Sequence, residues 1–579
     1  MTNLIPEKML NGPELVKKGI KIGKTIELGS NRFETERKTS FLDWYITETV
    51  EGRMKFNPQI GLKTLDETAQ ACRWLHDEAG KRGIDLGLFL VTSNWLMALP
   101  PEVREKAPKG TSFMFDSPED FKKLSHASPL MAAVGDHIIA GPNSVRNTIN
   151  CLEGGITALG TVSQFSWRYP YWDDEVAQMA EIVKAMGIVA ANADKGATIS
   201  TYIGDGIPGT FADYANLVGY VLLEQYITQT LCGAPYFVGM GGLMSHLPNK
   251  FATMLAIDEI GRIDGMPVMG HVEGNTVEVT QDLGFNYGLQ VADFMVYALI
   301  ERKYKTGSVY TAKPVTEAIQ VPTVKEVLDI MLACHATMER VKEIEEAGLF
   351  DDTGILDIKA VLVREGRKFY ENVMNGLPDL GVDTKDPLQM LLGLRRLGAV
   401  KLEEMFHPGK KDASRFQGIV PFAETDLIRR CRKMADQHVE TMSSRGLDKT
   451  VQDKTIILGS ADTHEFALWT IDKVLKGVGA RVINGGVDMD PESFLDLARK
   501  EQTAYMAVSV HNGQCMGWGS RLMAEAKKRN QEIKPFMGGV LNTVVGASPE
   551  PVDAKDMLKE LGITPCTDVI DLAEKINRI

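Results

Sequence analysis

Lys454-Thr-Ile-Ile-Leu-Gly-Ser460, followed by Asp462-Thr463-His464-Glu465-Phe466-Ala467, is the stretch on which the reading of this chain turns. The first seven residues form a short apolar run of strand type, and Glu465 to Val478 has helical spacing. The alternation continues to the end of the chain. Ala480 to Asn484, Ala504 to His511 and Pro535 to Leu541 read as strands, and Gln514 to Asn530 as a helix. Asp490 before Pro491 reads as an N-cap with proline at the first helical position, where its missing N–H costs nothing. This is the pattern of βαβ units and a parallel sheet. His464, Ser509, His511 and Gly538-Gly539 all fall where a strand ends, the edge at which open parallel sheets bind ligands.

An imidazole on such a loop can ligate a metal ion, and a carboxylate two residues earlier, Asp462, can accept its other N–H and fix the tautomer. Gly538-Gly539 lets backbone approach a bulky ligand, and Ser509 supplies a hydroxyl. Either motif alone is weak. Their joint order and spacing carry the reading.

From Lys454 onward the chain resembles the cobalamin-binding domain of B12-dependent mutases and methyltransferases, with its Asp-x-His-x-x-Gly, Ser-x-Leu and Gly-Gly pattern. The resemblance implies a flavodoxin-like, Rossmann-type domain in which His464 is the lower axial ligand of cobalt and Asp462 stands behind it. Thr463, Glu465, Phe466 and Ala467 would flank that ligand, while Ser509, His511, Gly538 and Gly539 would line the slot for the displaced nucleotide tail. Two positions depart from the pattern. Ala467 replaces its glycine and His511 its leucine.

The 579 residues, 44% of them apolar, are enough for two or three domains with substantial cores. A net charge of −13 excludes a polyanion partner, since nucleic-acid binders need basic surfaces. Seven scattered cysteines without a Cys-x-x-Cys suit a reducing cytosol and imply no zinc site. The start of the chain has no signal-peptide core, and no apolar run reaches membrane-helix length, so a cytoplasmic protein without a membrane partner is expected.

Between about Gly61 and Thr323, short apolar runs alternate with helical stretches across Gly-rich junctions, which predicts a TIM-like (β/α)8 barrel. The expected strands are Leu86 to Val91, His137 to Ala140, Ile156 to Val162, Thr198 to Ile203, Tyr236 to Met240, Pro267 to His271 and Ser308 to Ala312. Val324 to Ala347 reads as an amphipathic helix. The expected division is an N-terminal arm at 1–60, a barrel with helical extension at 61–400, a linker at 401–453 and the cobalamin domain at 454–579.

Two blocks in this region resemble the catalytic chain of glutamate mutase. They are Lys313-Pro-Val-Thr-Glu317-Ala-Ile-Gln-Val321-Pro322-Thr323 and the stretch from Gly141 to Tyr169-Pro170-Tyr171. The resemblance implies that Lys313 and Glu317 contact the ribose of an adenosyl group, that Gly61, Pro170 and Val321 line the cofactor, and that Tyr171 is a catalytic and substrate-binding residue. The substrate positions diverge. Gln59 and Ile139 stand where that family has arginines, Thr161 where it has a glutamate, and Trp167 where it has a tyrosine. Without bidentate guanidinium clamps, glutamate itself is an unsuitable substrate. His137, His246 and His271 fall near expected strand ends as acid–base candidates, with a hydrogen-bonded structural role as the default for each.

Together the resemblances imply a fused, single-chain adenosylcobalamin-dependent carbon-skeleton mutase, as in 2-methyleneglutarate mutase, acting on a small molecule other than glutamate. The alternative is a corrinoid-dependent methyltransferase. A homo-oligomer, dimer or tetramer, is expected, with a reactivating chaperone as a candidate partner.

Overall fold

The computed structural model describes residues 4–5, 9–105, 113–169, 172–280, 282–316, 322–412, 415, 417–447, 449–461, 466–486, 489–510, 515–544 and 551–578. The chain divides into two compact units. The larger runs to Asp426, and the smaller is Leu427–Ile579 with the segment Trp167–Asp173.

Eight parallel strands in sequential order build the larger unit: β1 (Gln59–Ile60), β2 (Leu88–Val91), β3 (Met131–Val134), β4 (Ala158–Leu159), β5 (Thr198–Tyr202), β6 (Tyr236–Met240), β7 (Met269–Glu273) and β8 (Val309–Thr311). The sheet curls almost into a closed barrel. Its seam is made just ahead of β1, where Phe56 forms parallel bridges to both Leu86 and Tyr310. Asn57 N donates to Tyr310 O at 2.9 Å, and Tyr310 N donates to Lys55 O at 3.0 Å.

Helices follow the strands, and several announce their starts in the sequence. Thr64 with Glu67 forms a capping box for Leu65–Gly80, and Thr323 with Glu326 does the same for Val324–Ala336. Strand alternation sorts side chains between these helices and the barrel interior. Thr201 of β5 points outward and donates to Glu224 on the helix Tyr214–Gln225 at 2.6 Å.

The N-terminal arm closes the floor of the barrel. Phe33, Phe41, Trp44 and Tyr45 cluster with Leu88, Met131 and Val309, residues near the amino ends of their strands. Tyr45 Oη donates to Met269 O at 2.6 Å and Gly270 O at 2.9 Å. Gly87 has no room for a Cβ because the Trp44 ring occupies that space. Burying such rings is worth about 1.5–3 kcal/mol each, so the arm is part of the barrel unit's core.

Three expectations shift. His137–Ala140 is a turn, not a strand, and the third strand is Met131–Val134. Gln164 Oε1 accepts from the His137 backbone N at 3.0 Å, and His137 takes a φ of 65°, which no strand residue adopts. The strand expected at Pro267–His271 lies two residues later and ends on Glu273. The helix expected over Val324–Ala347 breaks at Thr337 into Val324–Ala336 and Met338–Glu346.

In the smaller unit, β9 (Thr455–Ser460), β10 (Arg481–Asn484), β11 (Tyr505–Val510) and β12 (Lys534–Gly539) precede a hairpin of β13 (Asn542–Val544) and β14 (Pro551–Asp553), and then β15 (Thr564–Pro565). The main sheet is parallel with order β10-β9-β11-β12-β15. Side chains alternate between two cores. Ile456, Leu458, Ala507 and Phe536 pack with Leu468, Leu475 and Leu572, whereas Ile457, Met506, Val508 and Met537 pack with Phe494, Leu495 and Leu522. Helices thus cover both faces. Asp490 caps Pro491–Lys500 as its sequence position predicts, accepting from Ser493 N at 2.6 Å. Among the described residues no helix is long and apolar enough to cross a membrane.

Candidate functional site

The carboxyl ends of the barrel strands carry a chain of polar side chains drawn from β2, β1, β8, β7 and β5. Lys313, two residues past β8, places Nζ 3.0 Å from Glu273 Oε1 and donates to Gln59 Oε1 at 2.6 Å. Gln59 Nε2 donates to Thr92 Oγ1 at 3.1 Å. On the other side, Glu273 Oε2 accepts from Tyr202 Oη at 2.7 Å and from Gly242 N at 3.2 Å. The Tyr202 ring stacks on the His271 imidazole, centroids 5.9 Å apart and planes at 16°.

A second layer holds this one in place. Lys250 Nζ donates to the Glu273 backbone O at 2.6 Å and pairs with Asp293 Oδ2 at 2.7 Å, while Tyr310 Oη donates to Asp293 Oδ1 at 3.0 Å. Lys250 and Asp293 are buried. An ion pair with no solvent is tolerable only because every remaining donor finds an acceptor.

The electrostatics follow from burial and pairing. Burial works to raise the Glu273 pKa, but the Lys313 ammonium and neighbouring donors outweigh it and hold the carboxyl below its ordinary range. Burial lowers the pKa of His271, so the imidazole is neutral, with Glu273 opposing the shift and Lys313 adding to it. Burial, and then the charge of Glu273, push the Tyr202 phenol well above its ordinary value. Lys313 and Glu273 therefore cancel, and the wall they form is polar with no net charge.

The opposite wall, on β3 to β6, is lined by small residues. A Cβ on Gly160 would lie 2.5 Å from Ser200 Oγ and 3.2 Å from Gly135 Cα, so these three meet on one face. Ala133, Ala158 and Ser200 are only partly buried although they sit on barrel strands. Gly239 leaves the room that the His271 ring fills.

In the smaller unit the candidate site is a strand edge. Ser509 of β11 is in register with Ser460 of β9 on one side and Gly538 of β12 on the other. Ser509 O accepts from Ala461 N at 2.9 Å. Gly539 has a φ of 106°, and a Cβ there would overlap Val510 O, so only glycine fits this bend.

The expected residues fare unequally. The structure unites Lys313 with Gln59 and brings Ser509 beside Gly538 and Gly539. Ile139 and Thr161 are buried, Trp167 is half-buried, and His246 is exposed. Gly61 follows β1, close against Thr92. Ala467 lies in the first turn of Phe466–Gly477. Pro170, Tyr171, Glu317, Val321, Asp462, Thr463, His464, Glu465, His511 and the side chain of Phe466 lie outside the described residues. Glu273 and Tyr202 went unnoticed in the sequence. The available signal was a carboxylate ending an apolar strand in Val268-Met-Gly-His-Val-Glu273, the position at which barrels carry function.

No protein-family model matches the chain, and no curated protein matches it. Among solved structures, it is similar to a novel cobalamin-binding protein from Desulfitobacterium hafniense DCB-2 at 14% identity and a TM-score of 0.19, over 38% of this chain and 93% of that one. It is also similar to the carboxyl transferase domain Y628A of Rhizobium etli pyruvate carboxylase, with 12% identity, a TM-score of 0.30, and 76% and 79% of the two chains covered. The complete multifunctional pyruvate carboxylase of the same organism gives 11% identity and a TM-score of 0.29, over 75% of this chain and 50% of that chain.

Proposed function

We infer that this chain is an adenosylcobalamin-dependent carbon-skeleton mutase acting on a small substrate other than glutamate. One observation carries the cofactor reading. The strands preceding Asp462-x-His464 and His511, together with the strand ending in Gly538-Gly539, are the adjacent strands β9, β11 and β12 of a sheet whose order is that of flavodoxin-like domains. Ser460, Ala461, Ser509 and the two glycines at their ends keep side chains small where a bulky ligand tail would need room, which is the set of residues the group calls for. His464 would hold the cobalt, Asp462 would orient its ring, and Ser509, Gly538 and Gly539 would receive the nucleotide tail. When bound, the cofactor supplies a carbon radical for hydrogen abstraction.

The barrel residues have the tasks of binding, orienting and excluding water. Lys313 and Glu317 are the residues proposed for the adenosyl ribose, and Lys313 Nζ is held in place by Gln59 and Glu273. The small-residue wall gives a reacting molecule space, and fixed geometry of this kind lowers barriers by about 7–11 kcal/mol. The absence of arginine at positions 59 and 139 leaves no guanidinium clamp there for a dicarboxylate.

The test is reconstitution of the full chain, uniformly 15N-labelled, with unlabelled adenosyl- or methylcobalamin, followed by electron paramagnetic resonance of the Co(II) form. A 15N splitting that His464→Ala abolishes is the expected result. Asp462→Ala should weaken binding or turnover about 10–100-fold. A 14N splitting from the cofactor's own base, or no corrinoid binding, overturns the reading. Methyl transfer to an acceptor without radical signals would replace the mutase with the methyltransferase.

A further inference from the structure

Among the described residues, the polar wall of the barrel contains a histidine with a ring nitrogen whose hydrogen-bonding capacity is unused. Thr92, Gln59, Lys313, Glu273 and Tyr202 are joined to one another. His271, in the middle of the same wall, is not. Its Nε2 is buried with no hydrogen-bond partner and stands 3.9 Å from Glu273 Oε1, beyond bonding distance. The ring as a whole keeps 12% of its surface accessible. Nε2 is enclosed, whereas Nδ1 is not enclosed in this way and makes no hydrogen bond among the described residues, so Nδ1 is the ring nitrogen a ligand can reach.

The tautomer follows from electrostatics. With the Glu273 carboxylate facing Nε2, the proton is favoured on Nε2, where it meets negative charge, and the lone pair on Nδ1. The alternative would set a lone pair against a carboxylate. Burial keeps the ring neutral. A neutral imidazole with a lone pair on its accessible edge is an acceptor without charge, and leaving it unmatched inside a protein costs free energy. The ring is also held in position: Tyr202 stacks on one face, and Gly239 is the one residue type that makes room for its edge.

An acceptor of this kind selects an uncharged donor. An ammonium group would need a countercharge, but the charge of Glu273 is already matched by Lys313 at 3.0 Å. A carbonyl oxygen has nothing to donate. We propose that His271 is a specificity-determining residue of the barrel interior, accepting through Nδ1 a hydrogen bond from a hydroxyl group of a small hydroxylated substrate. The proposal deepens the mutase reading by naming a substrate class, and it rests on that reading only in taking the barrel interior as the place where substrate sits.

The test is binding to the full chain by titration calorimetry, together with the His271 Cε1–H signal in protein carrying 13C-labelled histidine. The probes are butanoate, 2-hydroxybutanoate, 3-hydroxybutanoate and 2-oxobutanoate. One hydroxy acid should bind roughly three- to tenfold more tightly than butanoate and 2-oxobutanoate, and it should shift the His271 signal. That preference should vanish in His271→Phe and persist in part in His271→Gln, whose amide oxygen still accepts. Equal binding of all four probes, a preference for the oxo acid, an undiminished preference in His271→Phe, or failure of all four to bind at millimolar concentration overturns the proposal. The titration is run with and without adenosylcobalamin. A hydroxyl preference without corrinoid binding would refute the cofactor reading alone, and corrinoid binding without that preference would refute the role of His271 alone.

Discussion

The two sheets prepare their carboxyl edges in opposite ways. The barrel does so with side chains: a run of hydrogen bonds and an ion pair from Thr92 to Tyr202, backed by buried Lys250 and Asp293. The smaller unit does so with backbone: serines, an alanine and two glycines at adjacent strand ends, with Gly539 in a conformation reserved for glycine. The first arrangement fixes charge and hydrogen-bond polarity before any ligand arrives. The second leaves width and exposed peptide groups. In the proposed reading, the barrel site would discriminate among small molecules by chemistry, and the open edge would accept a large ligand by shape.

The comparison breaks most visibly at Lys250. Lys250→Met leaves Asp293 buried without its cation, which should cost about 3–5 kcal/mol, measured by denaturant unfolding. A smaller loss would mean that Glu273 does not depend on its second layer. Next is Gly539→Ala, where a β-carbon meets both a glycine-only φ and Val510 O. It should cost about 1–3 kcal/mol and speed amide exchange at Val540, whose N–H donates to Val510 O at 2.8 Å. If exchange there is unchanged, the edge is not organised by its backbone.

Glu403 sharpens the contrast within the barrel unit. It is buried and accepts from Ala212 N, Asp213 N and Asn216 Nδ2. With no cation in that set, burial pushes its pKa up to about 8. A carboxyl with a raised folded value holds its proton in the folded state after the unfolded chain has released it. Its contribution is therefore present below the ordinary carboxyl range and lost as pH rises through about 8. In Glu403→Gln, the decline in stability between about pH 5 and 8 should flatten by roughly 1 kcal/mol per pH unit. An unaltered slope would show the group to be ionised throughout. The smallest effect expected is at Tyr202→Phe, which removes a hydrogen bond to a charged acceptor worth about 1.5 kcal/mol. Glu273 Oε2 retains Gly242 N, and the His271 signal should move as its stacking partner adjusts.

Much of the architecture was legible in the chain. Tyr236 to Met240 is a strand with the expected bounds, and in the smaller unit the alternation of apolar runs and capped helices marked β9, β10, β11 and β12 to within a residue or two, while the two-residue β15 of the same sheet had no such signal. The misreadings have local causes. β1 and β4 are two residues long and show no periodicity, and Met131-Ala-Ala-Val134 is too small-sided to stand out beside the bulkier His137-Ile-Ile-Ala140. The site was harder. Gln59 and Lys313 lie 254 positions apart and meet only because the barrel brings its first strand beside its last. Glu273 was hidden by a two-residue error in the end of its strand. Nothing in sequence spacing can reveal that one ring nitrogen has no partner.

The aromatic residues beneath the strands have one further consequence. With Trp44, Phe41, Phe33 and Tyr45 forming a stopper at the amino end, the tube they seal is a blind alley. A molecule bound against the polar wall would therefore come and go by the carboxyl end, and its residence time would be set there. Loosening the stopper, as Trp44→Ala would, should open a back entrance through which bulk solvent reaches the polar wall.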